Sequence, residues 1–396
     1  MSFDLVQTLA DLVAIPSVNP MGRDLEGPEF LEHRVTAYLE TLFDRWSLPW
    51  VRQRVEPLRE NIIVRLDGDP TPEQGGKIVL LEAHQDTVPV DGMTISPWSP
   101  QVRDGRMYGR GACDIKGGLT AMLGAVSRLR EIDAKSRPTV LLAATVNEEH
   151  GYSGALKLTE LWREPNDFLP RPPDAAIVAE PTQLQVVVAH KGACRWRVRT
   201  HGKSVHSSQP QLGENAIYKM ARVLQAFEAY QREVVPRLPS HHLCGRPSLS
   251  VGMIRGGLSV NTVPDFCSIE IDRRLIPGEE SMPAYQEVIE FVARYPGVDG
   301  AADHETPYMQ GSTLSDGPNL PLGERLAQVV RPLSSPCDLV GVPYGTNASK
   351  IAASGVPAVV FGPGSIDQAH TADEWLELAQ LELASEALFR FVCAGG

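Results

Sequence analysis

From about residue 60 to residue 190, short apolar, β-rich runs alternate with segments of helical period, the pattern of a parallel or mixed sheet covered by helices. The predicted strands are Ile78 to Ala83, Val140 to Val146, Ala175 to Ala179 and Val186 to His190. Between the first two, Leu119, Met122, Leu123, Val126, Leu129 and Ile132 recur at spacings of three and four, which predicts an amphipathic helix. From about Cys194 the texture changes. Arg195, Arg197 and Arg199 alternate with Trp196 and Val198, and further on Cys267, Ile269 and Ile271 alternate with Ser268, Glu270 and Asp272. Such alternation predicts antiparallel strands with one covered face. Two helical stretches accompany them, one through Ile217, Met220, Leu224 and Phe227, the other through Tyr285, Val288, Ile289 and Val292. The Pro/Gly-rich stretch from Met309 to Leu322 returns the chain to the first layer, whose last strand is Ala358 to Phe361. The expected fold is α/β: a mixed, mostly parallel sheet domain over residues 1–191 and 310–396, with a smaller α+β sandwich inserted at 192–309.

A chain of 396 residues exceeds what one hydrophobic core usually serves, in keeping with two domains. The formal net charge of -12, with no local run of Lys or Arg, repels phosphate backbones and anionic lipid, so neither nucleic acid nor membrane is an expected partner. The opening MSFDLVQTLA lacks a basic stretch followed by an apolar one, and nowhere do about 18 apolar residues run together. The expected location is the cytoplasm. Cys113, Cys194, Cys244, Cys267, Cys337 and Cys393 are scattered without a CxxC pair, which reads as reduced, mostly buried thiols.

Ligands of open α/β sheets gather outside the carboxyl ends of the strands. His84 and Asp86 follow the first predicted strand, Asp114 ends the Gly-rich turn from Gly109, Glu148 and Glu149 follow the Val140 strand, Glu180 ends the next, and His370 follows Phe361-Gly362-Pro363-Gly364. A lone His-x-Asp is commonly a buried histidine with its partner, and adjacent glutamates are commonly a solvated loop. An apolar strand running straight into two mutually repelling carboxylates calls for a cation nearby. Imidazoles and carboxylates without thiolates suit zinc, cobalt or manganese in an open site better than a closed structural zinc. No Gly-x-Ser-x-Gly elbow offers a serine nucleophile.

The strings His84-Gln85-Asp86-Thr87-Val88-Pro89, Gly109-Arg110-Gly111-Ala112-Cys113-Asp114, Glu148-Glu149 and Ala179-Glu180-Pro181-Thr182 occur in order. With Gly202 to Pro210, Asn261-Thr262-Val263-Pro264, Asp272-Arg273 and Ala369-His370, they resemble the co-catalytic metallopeptidases. That family includes acetylornithine deacetylase, succinyl-diaminopimelate desuccinylase, aminoacylase and glutamate carboxypeptidase. The resemblance implies two divalent ions, zinc first with cobalt or manganese as alternatives. His84, Asp114 and Glu180 would hold one, and Asp114, Glu149 and His370 the other. It further implies Asp86 as orienter of the His84 imidazole, Glu148 as general base, and His206 as an oxyanion donor reaching the partner subunit's site from a dimerising lid domain. The partners would be a second copy of the chain and a small N-acyl amino acid or short peptide.

Arg273 shares strand parity with Cys267, Ile269 and Ile271, so an apolar face ends in a guanidinium. That reads as a fork for a substrate carboxylate, with Asn261 resembling its companion, or as the partner of an acidic neighbour such as Asp272 or Glu270. Tyr344 to Lys350 resembles a pocket-shaping loop in which Gly345 and Thr346 would touch substrate, and Asn347 stands where deacetylases and desuccinylases carry an acidic or different polar group. The expected activity is hydrolysis of the amide bond of an N-acyl amino acid. The alternative within the family is a carboxypeptidase or dipeptidase. Glu180, where aminopeptidases of the family carry Asp, favours deacylase or carboxypeptidase without choosing between them. A non-catalytic binding protein on the same fold would be expected to lack Glu148 or a ligand, and none is missing.

Overall fold

Four neighbouring parallel strands form the heart of the larger sheet, in the order Thr139–Thr145, Ile78–His84, Ala175–Val178 and Ala358–Val360. Every residue of these strands is buried, as their near-continuous apolar sequence requires when helices cover both faces. On one side the hairpin Trp50–Glu56 and Arg59–Leu66 extends the sheet in antiparallel sense; on the other, Val186–His190 and Leu339–Val342 complete eight strands. The helix Lys116–Leu129 is buried along almost its whole length and packs against Leu378–Cys393 and Leu5–Ala14. It stops three residues short of the expected Ile132.

The computed structural model describes residues 3–396, which divide into two compact units. One comprises the chain up to Val188 with Asp316–Val340 and Thr346–Gly396; the other is Ala189–Ser315 with Gly341–Gly345. The second unit is an antiparallel sheet ordered Ser248–Gly256, Phe266–Leu275, Gly192–His201 and Asp303–His304, with Met309–Gly311 also paired to the third of these. The alternation read from the sequence gives Trp196, Val198, Cys267, Ile269 and Ile271 to the core, beneath the helices Ala216–Ala229 and Ser281–Arg294. Trp196 meets Tyr285 edge-on at 5.2 Å. The outer face carries the polar partners, among them Arg195–Asp272 at 2.7 Å and Arg197–Glu270 at 3.2 Å.

Two local readings change. The buried stripe of the Ala216–Ala229 helix is Ala216, Met220, Val223 and Phe227, while Ile217 faces outward. The Pro/Gly-rich return segment becomes a helix from Asp316 to Val330. Pro318 lies in its first turn, where no intrahelical N–H is needed; Pro321 sits inside and forfeits one hydrogen bond. The six cysteines are free thiols, five buried and Cys393 exposed. Among the described residues no helix is long and apolar enough to cross a membrane.

Candidate active site

The parallel register brings distant segments level with one another. His84 closes its strand opposite Thr145, which puts Glu148 and Glu149 just beyond it. Glu82 pairs with Val178, so Glu180, two residues further on, stands level with His84. The last central strand leads through Gly362, whose bare Cα lies so close to the Glu180 segment that a Cβ there would stand 2.6 Å from the Glu180 carbonyl oxygen. Beyond it the chain runs on to His370, whose φ of +62° is left-handed and rare for a non-glycine residue. Asp114 arrives separately, from the turn that opens the Lys116–Leu129 helix.

These side chains converge on Asp114. Its Oδ1 lies 3.2 Å from His84 Nε2 and its Oδ2 lies 3.2 Å from His370 Nε2, so the two carboxylate oxygens are divided between the two imidazoles. Glu149 approaches the same His370 nitrogen at 3.4 Å. Ligand-capable atoms of His84, Asp114 and Glu149 all fall within 4.8 Å of one another, as do those of His84, Glu148 and Glu180. The acid count exceeds the base count. Burial pushes the carboxyls of Glu148 and Glu180 well above their usual range; for Glu148 the neighbouring His84 opposes this and Glu149 adds to it, and for Glu180 the charges of Asp114 and Glu148 add to it. Hydrogen bonds to Asp114 and Glu149 hold the His370 imidazole up at about 10. Glu149 Oε1 is buried and has no hydrogen-bond partner among the described residues. A mixed nitrogen and oxygen donor set with surplus negative charge and an orphaned carboxylate oxygen suits divalent cations.

Asp86 is placed differently from the expected orienter. His84 Nδ1 donates to the backbone carbonyl of Asp86 at 2.9 Å, whereas the Asp86 carboxylate is 3.5 Å away. Instead the carboxylate accepts the backbone N–H groups of Glu148 through Oδ1 and Glu149 through Oδ2, both at 3.1 Å, and the Asn19 amide at 2.9 Å. Burial alone would raise this carboxyl; hydrogen bonding and charge from His84, then the Asn19 hydrogen bond, bring it down to about 2. It holds the loop bearing both glutamates.

The remaining predicted residues do not gather into one group. In the second unit His206 is exposed, on a short strand pair with Thr262, and the Ser207 N–H donates to the Asn261 carbonyl at 2.9 Å. Asn261 is thus a neighbour of His206. It is no companion of Arg273, which lies toward the far end of the Phe266–Leu275 strand opposite Cys194. Arg273 itself is fully buried, and Glu279 takes its Nη2 at 2.8 Å. Its acidic partner comes from the following loop, because strand parity sends Asp272 and Glu270 to the opposite face. A guanidinium so engaged is not an open fork. Thr346 is also fully buried, with its hydroxyl accepting the Ala348 N–H at 3.1 Å where the helix Ala348–Ala353 begins. Gly345 is half-buried in the second unit.

Several residues that support the site carried no warning in the sequence. Asn19 bridges Asp86 to the Asn147 side chain at 2.9 Å each, and the Asn147 N–H donates to Glu32 at 3.2 Å. Glu32 in turn is clamped by Arg59 at 2.6 Å, a buried ion pair behind the loop that bears Glu148 and Glu149. Burial, reinforced by the charge of Asp86, raises the Glu32 carboxyl to about 7 against the pull of Arg59. Glu374, wholly buried, accepts the N–H groups of Gly111, Cys113 and Asp114. Each glutamate has apolar neighbours on one side only, Phe30-Leu31 before Glu32 and Trp375-Leu376 after Glu374, with charged or polar residues on the other, a mixed context that does not mark a buried carboxylate.

A mixed α/β sheet with imidazoles and carboxylates crowded at the carboxyl ends of its parallel strands is the frame of a hydrolase site. The sequence profile described as Peptidase family M20/M25/M40 matches residues 80–394. The chain belongs to that family, and is an amidohydrolase or peptidase. An acetylornithine deacetylase of Vibrio campbellii is 32% identical over 365 residues, 86% of this chain and 86% of its own length. One of Myxococcus xanthus is 30% identical over 344 residues, 81% and 82% of the two chains. Among solved structures, an M20 family metallo-carboxypeptidase from Sulfolobus solfataricus has the same fold, with a TM-score of 0.76 at 17% identity and 99% of each chain covered.

Proposed function

We propose that this chain is a deacylase that hydrolyses the amide bond of an N-acyl amino acid and works with two divalent ions, zinc first, cobalt or manganese in its place. The observation that carries the reading is the division of the Asp114 oxygens between His84 and His370. His84, Asp114 and Glu180 would hold one ion, and Asp114, Glu149 and His370 the other. Ions bound there would polarise the scissile carbonyl and lower the pKa of the attacking water. Glu148 takes the proton from that water and passes it to the leaving nitrogen; burial, which raises its proton affinity, suits it to both halves of the transfer. The Ser208 N–H donates to His206 Nδ1 at 3.2 Å, which leaves the ring proton on Nε2, outward and free to donate to an oxyanion. Exposed as it is, His206 would serve the partner subunit's site in a homodimer formed through the inserted unit. Free thiols throughout support a reducing compartment, the cytoplasm.

Similarity to acetylornithine deacetylases favours an acylated amino acid over a peptide. The test is a hydrolysis screen of N-acetyl, N-succinyl and N-formyl amino acids against dipeptides, with zinc, cobalt or manganese added. Turnover of the acyl amino acids is expected. Preference for dipeptides would make the chain a carboxypeptidase or dipeptidase, and no turnover of any compound with any metal would overturn the reading.

A further inference from the structure

Glu374 carries none of the ligand chemistry described above, yet a single buried carboxylate spends its hydrogen-bonding capacity on one short loop. Its Oε1 accepts the N–H groups of Cys113 at 2.8 Å and Asp114 at 3.0 Å; its Oε2 accepts the Gly111 N–H at 3.0 Å and Arg110 Nη1 at 2.7 Å. Arg110 is itself buried and also donates to the Pro89 carbonyl at 3.2 Å, so the charge of Glu374 is balanced on the spot. The loop that receives these bonds needs such an anchor. Gly111 is left-handed at φ +85°, and a Cβ there would meet Thr87 at 2.8 Å, so neither propensity nor packing of side chains would hold this turn unaided.

The anchor is tied to the other side of the site as well. Glu374 lies four residues after His370 and immediately before the strand Trp375–Glu377, which pairs with Arg106–Tyr108, the strand leading into the same loop. Its own carbonyl accepts the Gly109 N–H at 3.0 Å. One residue therefore fastens the segment bearing His370 to the loop bearing Asp114.

We infer that Glu374 is a positioning residue that sets the distance between Asp114 and His370, and through it the affinity for the ion held by Asp114, Glu149 and His370. The inference rests on the two-ion reading above. Releasing Glu374 displaces one ligand of the His84 side and two of the His370 side, so the two affinities should fall unequally. A merely structural residue would lower stability without separating them.

The experiment is a cobalt titration of the metal-free full chain, followed by calorimetry and by visible absorbance, for the parent protein and for Glu374→Gln, well below the melting temperature of each. Glu374→Gln keeps the shape but sets an amide N–H against Gly111 or Arg110. The weaker equivalent should lose about 10- to 100-fold in affinity, the range for partners that orient a ligand, with a clearly smaller loss in the other. Glu374→Asp, one methylene shorter with its charge retained, should show the same ordering and serves if the glutamine variant does not fold. Equal losses in both equivalents, unchanged affinities, or failure of both variants to fold would overturn the positioning role. A parent protein that binds no cobalt would instead refute the two-ion reading beneath it.

Discussion

Replacing Asp86 with Ala should damage the catalytic loop more than the histidine beside it. The substitution strips the acceptor from three donors: the half-buried N–H groups of Glu148 and Glu149 at 3.1 Å and the buried Asn19 amide at 2.9 Å. Hydrogen bonds to a charged group are each worth about 1.5 to 3 kcal/mol, and partners in one network do not add, so a stability loss of about 3 to 5 kcal/mol is expected. Independently, a carboxyl held at about 2 against the usual 3.8 stabilises the fold by roughly 2 to 3 kcal/mol at neutral pH. Because this carboxyl is depressed in the fold, that part is fully present above about pH 4 and disappears as pH falls toward 2. His84 keeps its orientation, since its Nδ1 partner is the Asp86 backbone carbonyl, which no side-chain change removes. Metal affinity should therefore fall by less than about tenfold, at the mild end for a lost orienting partner. A Glu148 carboxylate displaced by about 1 Å should lower kcat about 10²-fold. Steady-state hydrolysis of an N-acetyl amino acid, run beside calorimetric metal titration at a temperature where the variant is folded, separates the two effects. If kcat stayed within about twofold of the parent, or excess metal restored it in full, Asp86 would be acting through His84 alone and its hold on the loop would be refuted.

Metal analysis after mild dialysis should find close to two divalent ions per chain; Asp114→Ala should disturb both and His370→Ala chiefly one. Because His370 is pushed up to about 10 without a cation, metal binding near neutral pH should release its proton and tighten as pH rises, a dependence that titration in buffers of different ionisation enthalpy would detect. Glu148→Gln should keep its ions and lose about 10² to 10⁴ in kcat, and full activity would move the general base elsewhere. Arg273→Met should cost about 3 kcal/mol of stability by stranding Glu279 and leave KM for a carboxylate substrate little changed; a selective rise in KM would restore the carboxylate-fork role. Mixing inactive Glu148→Gln and His206→Ala chains should return activity through one competent site per mixed dimer, and silence despite proven subunit exchange would end the case for His206 acting in trans.

The features legible in the amino-acid sequence are those that short-range pattern dictates. The central strands and the helix Lys116–Leu129 announce themselves by near-continuous apolar runs and helical spacing, and parallel strands deliver the residues after them to one edge of the sheet. His84, Glu149 and His370 are found together for that reason, and Asp114 joins them from the turn before the Lys116–Leu129 helix. Arg273 shows where pattern stops. Parity places it on the covered face, but its partner Glu279 lies in the loop after the strand, where no periodicity points. The helix Asp316–Val330 is hidden by Pro318 and Pro321, residues that usually end helices. Glu374 is hidden more deeply, because its partners are backbone amides about 260 positions earlier, and amides have no identity in a sequence.

The strand Ala358–Val360 lies between Ala175–Val178 and Val186–His190, in the middle of a sheet whose other central members are complete by residue 190. A sheet assembled before residues 358–360 had emerged would carry an open slot there, its two rims offering unpaired backbone to any passing strand. His370 follows that strand by ten residues and comes to the site with it. On the two-ion reading, a chain without this strand also lacks His370 and the ion it would hold, so the last central strand and the last proposed ligand are acquired together.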